Sequence, residues 1–263
     1  MSCDLEDGHV VPEHVHPEHQ LAFASGGVLT VHTSQGAWVT PSMRAVWIPA
    51  GVPHSVAMAG RVRLRTLYFH PGLVRGLSAE CVVMNVSPLL KELILYACTF
   101  PKLRKRVAVE RRIIEVIVDQ LVAARWIPLQ LPRPSDPRAL RIVRAMLEDP
   151  GRNRTLDGYC RGAGASKRTA QRLFLAETSM TFRQWRQQLR LLHALQRLAS
   201  GETVTTAASR AGYASTSAFI SMFKRCLGKT PTRYFKNDRA GKEASTPPEA
   251  APRSSGVAPN GFR

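Results

Sequence analysis

Hydrophobic and polar positions follow two different periods along the chain, and the change of period predicts two structural parts. Between residues 20 and 69, short apolar or alternating runs lie between Gly, Pro and Ser turn signals; they cover residues 28–33, 37–40, 45–49 and 61–66. Short strands at this spacing are typical of a β-barrel or sandwich. From residue 88 onward the apolar spacing becomes three or four residues, which indicates helices. We therefore expect an α+β protein, with an N-terminal β-barrel followed by an all-α domain.

The same pattern divides the chain further. Residues 1–75 are predicted to form the β-rich domain, and residues 76–126 a helical connector with helices at 88–99 and 107–125. Four prolines between residues 127 and 137 indicate a linker. Residues 138–237 are predicted to be helical, and residues 238–263, rich in Pro, Ser, Ala and Gly, to form a disordered tail. The apolar stripe of helix 107–125 is either a homodimer surface or packs on its own β-domain.

Basic residues are concentrated in the helical part. Residues 1–100 contain six Lys and Arg against seven Asp and Glu, whereas residues 136–240 contain twenty against seven. The formal net charge of the chain is +18. A strongly basic domain favours a polyanionic partner such as nucleic acid. The alternative is a solvated cationic surface in an arginine-rich protein.

The cysteines and the N-terminal residues indicate the cellular compartment in which the protein is expected. Five scattered cysteines without a Cys-x-x-Cys pair fit neither a disulfide framework nor a zinc module, and they agree with a reducing cytosol. Residues 1–8 lack a basic start and an apolar stretch, so no signal peptide is expected. Apolar runs are too short or too interrupted to span a membrane. We expect a cytoplasmic protein with no membrane partner.

An internal repeat lies in the basic part. Ser166 is followed eight residues later by Phe174, and the same pair recurs 49 residues on as Ser215 and Phe223. The same offset of 49 residues aligns Thr181 with Thr230 and Trp185 with Tyr234. In each copy a short helix, a turn of small residues and a serine-capped second helix follow one another. This order predicts two helix-turn-helix units, whose second helices enter the DNA major groove.

The first candidate recognition helix covers residues 167–177. Its apolar stripe contains Ala170, Leu173 and Phe174, and its opposite face carries Lys167, Arg168, Gln171 and Arg172. Arginine pairs bidentately with guanine and glutamine with adenine, so this face has the chemistry to read bases. A solvated polar face is the alternative; the residue types and the serine cap favour contact with DNA.

The second candidate covers residues 216–227. Its outer face offers small side chains, then two cations: Thr216, Ser217, Ala218, Ser221, Lys224 and Arg225. We expect phosphate and methyl contacts here more than bidentate base reading. Between the candidates, residues 182–200 have helical apolar spacing and predict a helix of about 28 Å. Since one DNA turn is about 34 Å, this helix is a spacer, a core helix, or both.

The segment from about residue 155 to 235 resembles the DNA-binding domain of the AraC/XylS family of transcription regulators. The resemblance is carried by Ser166, Arg172-Leu173-Phe174, Ala211-Gly212-Tyr213, Ser217-Ala218-Phe219, Phe223-Lys224 and Gly228-x-x-Pro231-x-x-Tyr234-Phe235. It implies an activator or repressor that binds promoter or operator DNA, with RNA polymerase as a candidate further partner. The base contacts it implies are Arg168, Gln171 and Arg172, then Thr216, Ser217, Ala218 and Ser221.

One stretch departs from that family. Residues 157–162 carry two glycines inside the first helix of the first unit, and each glycine costs up to about 1 kcal/mol in a helix interior. We therefore expect the first unit to be marginally stable or locally distorted.

The N-terminal domain is similar to the cupin-like sensor domain of a subgroup of the family. The match is Gly8-x5-His14-x-His16-x3-Gln20-x6-Gly27, then Pro49-x-Gly51-x-x-His54. In metal-dependent cupins these positions supply three histidines and a glutamate. In this chain Gln20 stands in place of the glutamate. The resemblance implies either a divalent metal held by His14, His16, Gln20 and His54 or a vestigial pocket, in which the histidines shape a small-molecule effector site or only form local hydrogen bonds. His19 is expected on the surface.

Two other function classes explain less of the sequence. A cupin metalloenzyme uses the histidines but leaves the basic repeat without a role. A nonspecific architectural nucleic-acid binder explains the charge but not the paired capped helices. The expected protein is therefore a transcription regulator and not an enzyme, in which the β-domain senses a small effector. Its effector would shift a balance between conformations or dimer arrangements.

Overall fold

The N-terminal part is a β-sandwich of two antiparallel sheets. The structure is a computed structural model that describes residues 1–240. One sheet has six strands in the order β1 (Ser2–Leu5), β8 (Val62–Phe69), β3 (His19–Ala24), β6 (Arg44–Ile48), β9 (Val82–Asn85) and β10 (Trp126–Ile127). The other has five: β11 (Gln130–Pro132), β5 (Gly36–Pro41), β4 (Val28–Thr33), β7 (His54–Ala59) and β2 (Val10–His14). The predicted α+β class, with a cupin-like β-domain before a helical domain, is confirmed.

Helices follow and flank the sandwich. They are α1 (Pro88–Ala97), α2 (Ala108–Val122), α3 (Pro137–Glu148), α4 (Leu156–Ala163), α5 (Lys167–Thr178), α6 (Phe182–Ala199), α7 (Val204–Arg210), α8 (Thr216–Leu227) and α9 (Pro231–Ala240). The two helices predicted at 88–99 and 107–125 correspond to α1 and α2, which are both shorter. The predicted tail overlaps the end of α9 at residues 238–240, and its remainder lies outside the described residues.

Strand register decides which side chains line the sandwich interior. In β3, Ala22 lies opposite Val46 and Thr66 and faces the other sheet, whereas Leu21 and Phe23 belong to the apolar cluster under α1 and α2. The second sheet is covered on its outer side by α6. Strands β3, β4 and β6 are buried over most of their length, whereas β7 and β8 alternate between buried and half-buried positions.

The predicted linker at 127–137 is instead part of the packed structure. It holds the end of β10, all of β11 and the cap of α3, and Leu129 and Leu131 are buried. The indole Nε1 of Trp185 donates a hydrogen bond of 2.8 Å to the Pro132 carbonyl oxygen. Proline is tolerated here because β11 is an edge strand, where an N–H need not be donated to a neighbour. Strand β9 and the first residue of β10 likewise lie within the stretch predicted as a helical connector.

Helix α6 contacts the sandwich directly. Gln196 donates from its side-chain amide to Thr30 Oγ1 over 2.9 Å, and Ser200 Oγ donates to Asp7 Oδ1 over 3.0 Å. A Cβ atom added at Gly60 would lie 2.2 Å from the carbonyl oxygen of Ala199, so only glycine fits this approach. The β-domain therefore rests on the helix that joins the two predicted helix-turn-helix units.

Candidate nucleic-acid interface and histidine cluster

Both predicted serine caps are present. Ser166 Oγ accepts from the backbone N–H of Thr169 at 3.1 Å, and Ser215 Oγ accepts from that of Ala218 at 3.2 Å. These bonds satisfy N–H groups that the first turn of a helix leaves free. Each unit thus contains a first helix, a turn and a capped second helix: α4 and α5, then α7 and α8.

The sequence repeat is also a repeat of packing. The rings of Phe174 and Trp185 lie 5.7 Å apart in an edge-to-face contact, and those of Phe223 and Tyr234, 49 residues on, have the same separation and type of contact. Edge-to-face pairs are a favoured aromatic geometry. These buried contacts fix α5 and α8 to the helix that follows each, which determines the face each leaves to solvent.

Those free faces carry the predicted DNA-contacting residues. Thr216 is half-buried, and the others are exposed: Lys167, Arg168, Gln171, Arg172, Ser217, Ala218, Ser221, Lys224 and Arg225. The Lys167 ammonium lies 3.6 Å from Asp157 Oδ2. Both side chains of that pair are more than half exposed, so water screens the attraction and leaves Lys167 able to exchange partners.

Two clefts flank the N-terminal half of α6. One, of about 570 Å³, is lined by Lys167 and Gln171 of α5 together with Arg183 and Arg186 of α6. The other, of about 250 Å³, is lined by the same two arginines and by residues of α8, among them Ala218 and Arg225. The outward faces of both candidate recognition helices therefore border one pair of arginines.

Arg183, Arg186 and Arg190 of α6, which we call the arginine strip, were not among the predicted DNA contacts. Arg186 Nη1 donates 2.9 Å to the carbonyl oxygen of Arg154, and its guanidinium lies 5.4 Å from the Phe182 ring centroid. Arg190, one turn further, donates to the Pro150 carbonyl oxygen at 3.3 Å. The i, i+3, i+7 spacing of Arg183, Arg186 and Arg190 was the available signal, because it places all three on one helix face.

The glycine-rich helix α4 is regular. Thr155 caps its start by accepting from the backbone N–H of Gly158 at 3.2 Å, and Gly164 ends it in the left-handed conformation, at φ +64°. The helix has eight residues despite Gly158 and Gly162. The expected marginal stability of the first unit stays a prediction.

The four cupin-motif residues come together at one end of the sandwich. His14 of β2 pairs with His54 of β7, and their ring centroids lie 4.3 Å apart. The His16 ring lies 5.1 Å from that of His54. Gln20 enters from the opposite sheet, and its side-chain oxygen is 3.0 Å from Nε2 of both His16 and His54. The three histidines offer ring nitrogens that all lie within 4.8 Å of one another.

Backbone carbonyls fix the orientation of all three rings. Nδ1 of His14 donates to the Pro12 oxygen at 2.8 Å, that of His16 to the Glu18 oxygen at 2.7 Å, and that of His54 to the Val52 oxygen at 2.9 Å. A carbonyl oxygen only accepts, so each Nδ1 carries the proton. In the neutral rings the lone pair is therefore on Nε2. Burial lowers the pKa of His54, and the neighbouring His14 and His16 lower it further.

His19 is half-buried rather than fully at the surface, and it lies outside the histidine cluster as expected. Its Nδ1 accepts from the backbone N–H of Ala50 at 2.9 Å, and its ring stacks on Trp47 at 4.9 Å. Burial also lowers its pKa. His19 points away from the cluster because neighbouring residues of a strand face opposite sides of the sheet.

Fold and packing define a protein with an AraC-like sensor domain and paired helix-turn-helix units, and the comparisons agree. The family model described as "AraC-like ligand binding domain" matches residues 6–120, and that described as "Helix-turn-helix domain" matches residues 159–237. The transcriptional regulator NimR of Escherichia coli is 38% identical over 223 residues, covering 85% of this chain and 81% of NimR. The chain therefore belongs to the AraC family of helix-turn-helix transcription regulators.

Two further relatives match more remotely. The transcriptional regulator RipA of Corynebacterium glutamicum is 29% identical over 117 residues, covering 44% of this chain and 35% of RipA. The solved structure of ToxT from Vibrio cholerae is similar with a TM-score of 0.40 and 12% identity, covering 90% of this chain and 97% of that one. Across residues 1–240, none of the helices has the length and apolar character needed to cross a membrane.

Proposed function

We propose that α5 and α8 enter two successive major grooves on one side of an operator, and that the arginine strip of α6 contacts the phosphates between them. The observation that carries this proposal is the shared border: Arg183 and Arg186 line the cleft against α5 and the cleft against α8. An α6 of eighteen residues is about 27 Å long, and one DNA turn is about 34 Å.

The two helices have different roles in this proposal. Arg168, Gln171 and Arg172 of α5, beside Lys167, read bases, because their side chains form paired hydrogen bonds with guanine or adenine. In α8, small side chains approach the bases closely while Lys224 and Arg225 hold phosphates; the approaching residues are Thr216, Ser217, Ala218 and Ser221. Specificity therefore comes mainly from the first unit.

The test is footprinting of the full chain on DNA selected from its own genome. The expected result is two protected stretches centred about 10 base pairs apart on one face of the duplex. Protection of one stretch only, or equal affinity for unrelated DNA, would contradict the proposal. The second outcome would favour the architectural binder considered above.

The β-sandwich is proposed to hold the small-molecule effector of this cytoplasmic regulator. Support comes from polar atoms on its interior face: within residues 1–240, Trp38 Nε1, Thr40 Oγ1 and Thr66 Oγ1 are buried without a hydrogen-bond partner. Such groups are costly unless something else satisfies them. A polar ligand between the sheets would accept from Trp38 Nε1 and would accept from or donate to the two threonine hydroxyls.

Helix α2 is proposed as the homodimer surface. Ile117 and Leu121 pack on the sandwich, while Val109 and Val116 on the other side are 57% and 40% exposed. One face of this helix therefore packs on the protein's own β-domain, and the opposite face is the one proposed for the dimer. Light scattering of the intact protein tests it: a dimer for the natural chain and a monomer for Val116→Glu are expected, and the same mass for both would contradict it.

A further inference from the structure

The loop before α4 and the turn before α8 meet at two glycines. A Cβ atom added at Gly151 would lie 2.3 Å from the carbonyl oxygen of Arg210, and one added at Gly212 would lie 2.3 Å from that of Gly151. Neither position therefore accepts a side chain unless the backbone shifts. The loop that leads into the first helix-turn-helix unit is thus in direct backbone contact with the turn of the second unit.

The loop at Gly151 is itself fastened to the first unit. Arg141 of α3 donates from Nε and Nη2 to the carbonyl oxygen of Ala163, at the end of α4, over 3.1 and 2.7 Å. Further along the same loop, the carbonyl oxygen of Arg154 accepts from Arg186 of α6. A shift of the second-unit turn against this loop therefore changes the position of the second unit relative to the first.

Arg190 holds this contact from the side of α6. Its Nε donates to the carbonyl oxygen of Pro150 at 3.3 Å and its Nη2 to that of Arg152 at 3.4 Å, so the two bonds bracket Gly151. A Cβ atom added at Gly212 would lie 2.8 Å from the same Nη2, so the guanidinium also lies against the turn. A guanidinium has five N–H donors, and two bonds to the loop leave others for the arginine strip.

Few other contacts join the two units. Within residues 1–240, α7 packs on α6 and α8, and neither α7 nor α8 packs extensively on α4 or α5. Apart from the two glycines, α6 is therefore the main connection, and long helices bend. One extra base pair between two half-sites moves the second by about 3.4 Å along the duplex and turns it by about 35°. Units that pivot would follow this change, whereas fixed units would lose one set of groove contacts.

We propose that Gly151, Gly212 and Arg190, here called the glycine junction, fix α5 and α8 at one relative position and thereby determine the spacing of half-sites that the protein accepts on DNA. They are positioning residues, because they act through the placement of the two helices and do not read bases. The inference rests on the proposed function, since it requires both recognition helices to be bound at once.

The test compares the footprinted operator with duplexes that have one base pair added or removed between the two protected stretches. Competition shift assays of the full chain are expected to show a loss of at least ~10-fold for the natural chain on either altered duplex, because one set of base contacts is out of register. Gly151→Ala forces the loop and the turn apart, and we expect it to reduce this spacing penalty at least ~3-fold.

Arg190→Lys is the second variant, and it introduces no steric clash. It keeps the positive charge but loses the paired bonds to the loop, because an ammonium lacks the planar fork of a guanidinium. We expect a similar reduction of the spacing penalty, with an unchanged dependence of affinity on salt concentration. The penalty is a ratio of two affinities of one variant, so a general loss of stability does not change it.

Gly162→Ala is the matched control, because Gly162, like Gly151, has no positive φ, but nothing lies within 4 Å of its added Cβ. It should keep the natural preference for one spacing, whatever its affinity. Circular dichroism confirms that each variant is folded, and Arg190→Lys decides alone if Gly151→Ala is not. A natural chain without any spacing preference would contradict the proposed function and the junction with it. A natural preference that both variants retain would overturn the junction alone.

Discussion

The side-chain amide of Gln196 donates to Thr30 Oγ1 over 2.9 Å, which joins the helix between the two helix-turn-helix units to the central strand of the sensor sheet. Close by, Asp7 Oδ1 accepts from Ser200 Oγ at 3.0 Å and from the backbone N–H of Gly60 at 2.6 Å. A displacement of this sheet therefore acts on α6 through direct contacts. The DNA-binding part is not suspended on a free linker.

The approach of Gly60 to α6 gives the first prediction. Gly60→Ala places a Cβ 2.2 Å from the Ala199 carbonyl oxygen, so the sheet and the helix must move apart. We expect a loss of about 1–3 kcal/mol in the free energy of unfolding from this overpacking, beyond the backbone strain. Gly51→Ala is the matched control: its φ of +76° resembles the +70° of Gly60, but nothing lies within 4 Å of its Cβ. Urea unfolding of both variants measures the difference, and equal losses would mean that the contact contributes nothing.

Base reading by α5 gives the second prediction. Arg172→Ala is expected to cost about 1–3 kcal/mol of binding to the operator, with a much smaller loss on unrelated DNA, because only a base contact carries sequence information. Competition shift assays at fixed salt measure both affinities. Arg75→Ala, at an exposed arginine of the sensor part outside α2, should change neither. A uniform loss on all DNA would make Arg172 a phosphate contact instead.

The arginine strip gives the third prediction, with the opposite signature. Arg183→Ala is expected to weaken binding about equally on operator and unrelated DNA, because phosphates are the same in every sequence. It should also reduce the slope of log K against log salt concentration by about one. Affinities measured between 50 and 200 mM salt give this slope. For a protein with six to ten phosphate contacts, affinity falls by ~10³–10⁵ over this range. An unchanged slope would remove Arg183 from the interface.

Local patterns predicted the helical part well. The boundaries of α8 match the predicted helix at both ends, and the caps at Ser166 and Ser215 form as expected. These features depend on neighbours within a few residues, which a sequence shows directly. The cupin-motif residues were found by resemblance to a family and not from a local pattern. Their mutual distances come from the pairing of β2 with β7 and from the opposite sheet, which spacing alone does not give.

The errors share a different cause. Leu129 and Leu131 lie in a proline-rich segment, yet they are buried because β11 finds a partner in β5, about 90 residues earlier in the chain. Pairing over such distances depends on the whole fold. His19 was assigned to the surface for a similar reason, since its partners are Trp47 of β6 and Ala50 in the turn after that strand. The spacing of the arginine strip shows in the sequence that its residues share one helix face. That this face borders both candidate recognition helices depends on where α8 packs.

Gly162 inside α4 and Gly164, which caps the end of α4, give the last prediction, which separates helix propensity from capping. Gly162 has nothing within 4 Å of an added Cβ and has no positive φ, so Gly162→Ala reduces the freedom of the unfolded chain at no steric cost. We expect a gain of about 0.5–1 kcal/mol in the free energy of unfolding. Gly164→Ala, two residues away at φ +64°, is the control and should lose about 1 kcal/mol, because the left-handed conformation favours glycine.

Thermal and urea unfolding of the full chain compare the two variants. If Gly162→Ala stabilises the protein and also increases operator affinity, the first unit is marginal in the free state and part of the binding energy is used to order α4. If it stabilises the protein without changing affinity, α4 is already ordered before DNA binds, as its caps at Thr155 and Gly164 suggest. A loss of stability in Gly162→Ala would contradict the propensity argument, because the position offers no clash to explain it.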